Sequence, residues 1–149
     1  MKLKLSLTAT PPVKKAFPKY RDWKADITSV ASSVMTAELP DIISSDISII
    51  FQSDNELLDL NRRILDHDYY TDIITFELEH TDIKTETEIY ISVDRATENA
   101  ERFGSDLRSE VLRLVIHGLL HVAGYSDKSP SAKKRMQKRE RFFLSTLTD

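Results

Sequence analysis

The sequence predicts an α+β fold, in which a small mixed β-sheet is packed with helices. Strand-like segments concentrate in the middle of the chain, segments with helical spacing of apolar residues flank them, and one long apolar helix carries two histidines. The 149 residues suit one domain with its own hydrophobic core, so we expect a single domain over residues 1–149.

Four segments are typical of β-strands. Leu3–Leu7 alternates apolar with polar residues, and Asp46–Gln52 is rich in isoleucine. Thr71–Glu79 and Thr87–Asp94 are rich in β-branched and aromatic residues. The polar stretch His80–Glu86 that joins the last two is too short for a crossover helix, so we expect them to pair antiparallel.

Capping residues, glycines and prolines indicate where the helices begin and end. The expected helices are Lys19–Glu38, ended by Pro40; Asn55–Leu65, capped by Ser53 or Asp54; a helix capped by Asp94 and stopped by Gly104; a helix from Ser105 or Asp106 to Ala123; and a basic helix from Ser129 and Pro130 to Leu147.

Composition excludes several classes of protein. Without cysteine the chain has no disulfides and no thiolate metal ligands, so a metal must bind imidazole nitrogens and oxygens. No apolar run approaches the ~18 residues that span a bilayer, and the N-terminal apolar residues alternate with polar ones, unlike a signal peptide. We therefore expect a cytoplasmic protein with no membrane partner.

Charge is distributed unevenly along the chain. The net charge is −3, but residues 41–100 hold fifteen Asp or Glu against four Lys or Arg, which is −11 and leaves +8 for the rest. The densest basic segment is Lys133–Arg141. It could contact nucleic-acid phosphates, although charge alone favours a solvated helix face.

The long apolar helix carries the strongest functional signal. His117 and His121 are four residues apart, so both imidazoles project from one side, roughly 6 Å apart along the axis. Buried imidazoles need partners for both nitrogens, and a divalent metal can serve both rings, whereas two core histidines without a metal are the structural alternative. Gly124 suits the left-handed end of the helix, and the turn after it can return Asp127 as an oxygen ligand.

We therefore predict a metal site formed by His117, His121 and Asp127 on a buried helix, as in zincin-like metalloenzymes. Two histidines and one aspartate leave a position for water, as in catalytic zinc sites, so Zn²⁺ is the expected ion and another divalent metal the alternative. Peptidases with the H-E-x-x-H motif need a glutamate where this chain has Gly118. The facial triad of iron oxygenases usually places its acid beside the first histidine, which fits this spacing poorly.

Residues before the third strand are candidates for orienting the site. Asp72 could accept the second N–H of a histidine ligand, and Thr71 lies beside it, although either could instead cap the strand. Tyr69 and Tyr70 are candidates for stacking on unpaired bases, or for packing at the edge of the core. His67 is a surface histidine that could approach substrate.

Three segments together resemble the YbeY endoribonuclease family. HGLLHVAGYSD, residues 117–127, is similar to the signature H-G-x-L-H-L-x-G-Y-D-H. LNRRILDHDYYTDIITF, residues 60–76, is similar to L-N-x-x-Y-R-x-x-D-x-P-T-D-V-L-S-F, and residues 87–100 resemble the G-D-I-x-I-S strand with the following helix. The resemblance covers about residues 46–127.

The chain departs from the family pattern at two functional positions. Asp127 stands where the family has a third histidine ligand, and as an anion it would make the metal a weaker Lewis acid. Leu65 stands where the family has an arginine thought to serve the active site. Arg62 and Arg63, one turn earlier on the expected helix, are candidates for contacting substrate in its place.

The resemblance implies a metal-dependent, single-strand-specific endoribonuclease that acts in ribosomal RNA maturation, notably at the small-subunit 3′ end, and in ribosome quality control. Implied partners are single-stranded or precursor ribosomal RNA and the ribosomal small subunit. Either a metal-activated water or the RNA 2′-hydroxyl could attack the phosphodiester. The alternative is a ribosome-assembly binding module with a structural metal and little catalysis, and a metallopeptidase is a third hypothesis.

Overall fold

The computed structural model describes residues 1–147, and this part of the chain contains four β-strands and six α-helices. The strands are β1 (Lys2–Ala9), β2 (Ser44–Gln52), β3 (Ile73–His80) and β4 (Lys84–Ser92). The helices are α1 (Pro11–Ala16), α2 (Lys24–Glu38), α3 (Asp54–Leu65), α4 (Val93–Phe103), α5 (Leu107–Val122) and α6 (Pro130–Ser145), and a short 3₁₀ helix, Pro18–Trp23, precedes α2.

The four strands form one mixed sheet in the order β1-β2-β4-β3. The pairs β1–β2 and β2–β4 are parallel, and β3 pairs antiparallel with β4 in a register that places Ile74 opposite Tyr90. The α+β class, the mixed sheet and the antiparallel pairing expected from the sequence are confirmed.

Helix α5 is the centre of the hydrophobic core. Its apolar residues are buried nearly all round because the sheet covers one side and α2, α4 and α6 cover the others. Burying each such side chain stabilises the fold by about 1.5–3 kcal/mol, so the helix is held firmly in place. Opposing residues of the sheet that are 0–1 % exposed are Ile47, Ile49, Phe51, Ile89 and Ile91.

Several boundaries differ from the sequence expectation; β4, for example, begins at Lys84 rather than Thr87. α2 begins at Lys24 rather than Lys19, because the chain after Pro18 first forms the 3₁₀ helix. β3 begins at Ile73, so Thr71 and Asp72 precede the strand. The cap of α4 is Ser92 rather than Asp94, since β4 leads directly into the helix and the Ser92 hydroxyl accepts a hydrogen bond from the Arg95 N–H at 3.1 Å.

The caps of α3, α5 and α6 agree with expectation. Ser53 forms a capping box with Glu56 at the start of α3, and Ser129 caps α6. Asp106 caps α5 by accepting a hydrogen bond from the Ser109 N–H at 2.7 Å, and this bond lowers the pKa of Asp106 below its ordinary value. No helix in the described part of the chain combines the length and the apolar character needed to cross a bilayer.

Candidate metal centre

The end of α5 turns the chain back toward the helix. The Tyr125 N–H donates to the Leu120 carbonyl at 2.9 Å and the Gly124 N–H donates to the His121 carbonyl at 3.0 Å, which is a Schellman motif. Gly124 has φ +102°, a backbone conformation that favours glycine, as the sequence predicted. The Tyr125 hydroxyl then donates to Glu38 at 3.0 Å and fastens this turn to α2.

This turn brings Asp127 to the two histidines. Nε2 of His117 and Nε2 of His121 lie 3.1 Å apart, and Oδ2 of Asp127 lies 3.6 Å from each of them. The side chains of His117, His121 and Asp127 are 19 %, 36 % and 42 % exposed. The three predicted metal ligands are therefore adjacent in space and accessible to solvent.

The donor set fits a zinc ion. Tetrahedral zinc with bonds of ~2.0–2.1 Å separates neighbouring ligand atoms by ~3.3 Å, and the three separations found here are close to that value. Two imidazole nitrogens and one carboxylate oxygen are the ligand types of open zinc sites. His117, His121 and Asp127 could thus hold one divalent ion with a coordination position left for water or substrate.

Glu140 fixes the orientation of the first histidine. Nδ1 of His117 donates to Oε2 of Glu140 at 2.7 Å, and the Glu140 residue is only 3 % exposed. With its proton on Nδ1, the His117 ring presents the lone pair of Nε2 toward His121 and Asp127. A carboxylate behind a histidine ligand also raises the basicity of that ligand.

A partly buried polar network continues from Glu140. Arg113 donates from Nη1 to Glu140 at 3.1 Å and forms two hydrogen bonds of 2.8 Å with Glu110. The hydrogen bonds with Glu110, followed by the charges of both glutamates, raise the pKa of Arg113 and keep it cationic. Asn99 links Glu110, at 3.1 Å, to Asp72, at 3.0 Å. Arg113 thereby offsets the charges of two buried acids behind the metal centre.

The structure places Asp72 and Thr71 beside the metal centre. The carboxylate of Asp72 accepts from Asn99, and the second N–H of His117 goes to Glu140. The Thr71 hydroxyl donates to the Ile73 carbonyl at 3.3 Å. Because β3 begins only after them, both residues lie in the segment that leads into the strand.

Two clefts meet at the metal centre. One lies between α4, α5 and α6, measures about 850 Å³ and is called here the α6 cleft. The other lies beside β3, measures about 540 Å³ and is called the β3 cleft. His117, Asp127 and Asp72 line both clefts, and His121 and Thr71 line the β3 cleft. A polymer could therefore cross the metal centre from one cleft to the other.

The arginines expected near the site point elsewhere. Arg62 pairs with Asp68, and Arg63 pairs with Asp59 at 2.8 Å. Neither arginine lines either cleft, whereas Leu65 lines the β3 cleft. The family pattern has an arginine at the position of Leu65. Neither Arg62 nor Arg63 supplies a cation to the clefts in its place.

Two residues of the loop after α3 line the β3 cleft instead. His67 and Tyr69 stack with ring centroids 5.2 Å apart, and the Tyr69 hydroxyl lies 3.0 Å from Nδ1 of His67. Tyr69 is 56 % exposed and so remains available for stacking. Tyr70 does not line the cleft, and its hydroxyl donates to Asn55 at 3.1 Å.

Close packing explains the glycine between the histidines. A Cβ atom at Gly118 would lie 2.8 Å from Oγ1 of Thr75 and 3.3 Å from Cδ1 of Ile73. α5 therefore approaches β3 more closely than any larger residue at position 118 would allow. The glutamate of an H-E-x-x-H peptidase has no space at this position, so the packing also disfavours a peptidase of that type.

Sequence reasoning missed Glu140 and Arg113. Glu140 lies in a segment that is mostly basic. Met136, Glu140 and Phe143 nevertheless have helical spacing, and all three are buried. An acid on the buried face of a helix requires a buried partner, and this signal was available in the sequence. Arg113 stands three residues after Glu110, the spacing of a helical ion pair.

Comparisons with known proteins identify the family. The profile of the family described as endoribonuclease YbeY matches residues 13–148. The endoribonuclease YbeY of Cytophaga hutchinsonii is 41 % identical over 122 residues, which cover 82 % of this chain and 84 % of that protein. The endoribonuclease YbeY of Parabacteroides distasonis is 42 % identical over 106 residues, which cover 71 % and 74 %.

One solved structure shows the same fold. A solution structure of a Thermotoga maritima protein matches with a TM-score of 0.62 at 24 % identity, over 95 % of this chain and 87 % of that one.

Proposed function

Because the chain belongs to the endoribonuclease YbeY family, we propose that it is a metal-dependent endoribonuclease that cleaves single-stranded regions of ribosomal RNA precursors. We further propose zinc as the ion, the small-subunit 3′ end as the substrate region, the ribosomal small subunit as the partner and the cytoplasm as the location. The donor set supports zinc, the motif resemblance supports the substrate region and the partner, and the composition supports the location.

One observation carries the proposal. The imidazoles of His117 and His121 and the carboxylate of Asp127 converge at the junction of two open clefts. A structural zinc site usually has four protein ligands and is closed, whereas a site with three ligands and solvent access allows a substrate oxygen to approach. This arrangement supports catalysis over a purely structural metal.

The protein residues have separate parts in the proposed site. His117, His121 and Asp127 hold the ion, and Glu140 orients His117 through its Nδ1–H. When bound, the ion supplies Lewis acidity at the phosphate and lowers the pKa of water. Thr71 and Asp72, at the edge of the β3 cleft, lie beside the path of the RNA.

The proposal is tested by measuring metal content and RNA cleavage together. Wild type, His121→Ala and Asp127→Ala are purified, their zinc is quantified, and each is incubated with a single-stranded fragment of precursor ribosomal RNA. We expect wild type to bind about one zinc and to cleave, and both variants to lose zinc and cleavage. Lys84→Ala, which removes an exposed ion pair with Glu79 and lies outside both clefts, is the matched control and should behave as wild type.

Two results would contradict the proposal. Wild type that binds zinc but cleaves no RNA above the level of His121→Ala would show that the metal is structural. Asp127→Ala with full zinc content would remove Asp127 from the ligand set.

A further inference from the structure

The two clefts that meet at the metal centre differ in the cations that line them. Acids line both clefts, and neither lysine nor arginine is among the residues that line the β3 cleft. The α6 cleft is also lined by Arg113, Lys133 and Arg141. A polyanion crossing the metal centre would therefore find its cationic contacts on the α6 side alone.

Two of these three cations are available to a ligand. Arg113 is committed to the buried Glu110 and Glu140. Lys133 and Arg141 are exposed, and neither has an ion pair within the described residues. By contrast Arg139, on the same helix, is paired with Glu38.

An exposed aromatic ring lies in the same cleft. Phe103, at the end of α4, is 67 % exposed and lines the α6 cleft one helical turn after Asn99. A large apolar ring in water is unfavourable, and a ring beside exposed cations is the combination that binds unpaired nucleotides, with stacking on the base and ion pairing to the phosphate.

The cations and the ring belong to facing helices. Lys133, Gln137 and Arg141 have helical spacing and form one face of α6 along the cleft, while Phe103 belongs to α4. His117 and Asp127 also line this cleft, so its floor reaches the metal centre. A single strand lying between α4 and α6 would thus lead directly to the proposed ligands.

We propose that the α6 cleft is an RNA subsite on one side of the scissile phosphodiester, where Lys133 and Arg141 bind phosphates and Phe103 stacks on an unpaired base. This inference rests on the proposed function and adds to it that the two sides of the metal centre hold the RNA by different contacts. The strand is held by cations on the α6 side, whereas the β3 cleft, which Glu77 lines and no lysine or arginine does, offers aromatic contacts such as Tyr69. Because a base can stack on Phe103 only when it is unpaired, this subsite accepts only single strands.

The test compares matched variants of the zinc-loaded full chain. Phe103→Ala is compared with Phe142→Ala, an exposed phenylalanine of α6 outside the cleft. The double variant Lys133→Gln/Arg141→Gln is compared with Lys134→Gln/Lys138→Gln, which removes the same charge from exposed positions of α6 outside the cleft. The Kd for a labelled single-stranded RNA is measured by fluorescence anisotropy at several salt concentrations, with the RNA checked for integrity afterwards.

We expect Phe103→Ala to raise Kd about 5- to 100-fold, the effect of removing the stacking of one base, with little change for Phe142→Ala. The slope of log affinity against log salt should fall by about 0.7 for each phosphate that the protein no longer neutralises, hence by about 1.4 in Lys133→Gln/Arg141→Gln. The control pair should retain a slope near that of wild type.

Other results separate this inference from the proposed function. If wild type cleaves RNA and both cleft variants bind RNA as their controls do, the subsite is wrong and the endoribonuclease stands. Equal weakening of RNA binding in the two double variants would indicate general attraction to a basic helix and overturn the subsite. Wild type that neither binds nor cleaves RNA would overturn both.

Discussion

Glu140 accepts a hydrogen bond from Nδ1 of His117 at 2.7 Å, across 23 residues of sequence. The same carboxylate accepts from Arg113, so its charge is compensated although it is almost completely buried. The contact joins α6 to α5 directly behind the proposed metal ligands. It makes the basic C-terminal helix part of the metal centre as well as a surface element.

Replacing Glu140 with glutamine should weaken zinc binding. Glu140→Gln keeps the shape and one acceptor oxygen but removes the carboxylate charge that accepts the hydrogen bond from Nδ1 of His117. We expect zinc affinity to fall about 10-fold, at the lower end of the effect of removing such a partner, measured by competition with a chromophoric chelator. Glu101→Gln, at an exposed position of α4, should not change zinc affinity. Unchanged affinity in folded Glu140→Gln would show that Glu140 serves stability alone.

Asp127→His should keep or raise zinc affinity. The side chain of Asp127 is 42 % exposed, so a larger imidazole has space, and a third neutral nitrogen replaces an anionic oxygen. A neutral ligand also leaves the ion a stronger Lewis acid, so cleavage per bound zinc should increase. Zinc content after dialysis and the cleavage rate are the two measurements. A loss of zinc as large as that in Asp127→Ala would be inconsistent with Asp127 as a ligand.

Local patterns in the sequence predicted most elements of the fold and the three proposed ligands. Gly124 and the spacing of His117 and His121 are local features, and a helix end with its return turn depends on neighbouring residues. The short connection between β3 and β4 likewise determined their antiparallel pairing.

Contacts between distant segments could not be predicted in this way. The parallel pairing of β1 with β2 depends on how α1 and α2 pack, which periodicity does not specify. The link from Glu140 to His117 depends on the packing of α6 against α5. Arg62 and Arg63 were expected at the site from proximity in sequence, but helical geometry directs them to Asp68 and Asp59.

Because Asp106 caps α5, the free energy of unfolding should depend on pH in the acidic range. The hydrogen bond from the Ser109 N–H lowers the pKa of Asp106 below its ordinary value of 3.8. The folded pKa is below the unfolded one, so the contribution is fully present above pH 3.8 and is lost as pH falls through the folded pKa. Asparagine also caps helices but does not ionise in this range.

We therefore expect Asp106→Asn to match wild type at pH 6 and to lose less stability than wild type as the pH falls from about 5 to about 3. Urea unfolding at each pH measures the free energies. Asp106→Ala, which has no capping oxygen, should be about 1 kcal/mol less stable at about pH 6. Parallel pH profiles for wild type and Asp106→Asn would contradict the role of the Asp106 charge.

Gly118→Ala should destabilise the protein, although alanine is the better helix former. Where space allows, this change inside a helix raises the free energy of unfolding by about 1 kcal/mol. Here the new Cβ would lie 2.8 Å from Oγ1 of Thr75, so α5 and β3 must separate, and we expect a loss of about 1–3 kcal/mol in urea unfolding. Because the closest atom belongs to a side chain, Thr75→Ala should reduce that loss in a double-mutant cycle. A stabilising effect of Gly118→Ala would mean that α5 is not held against β3 at this position.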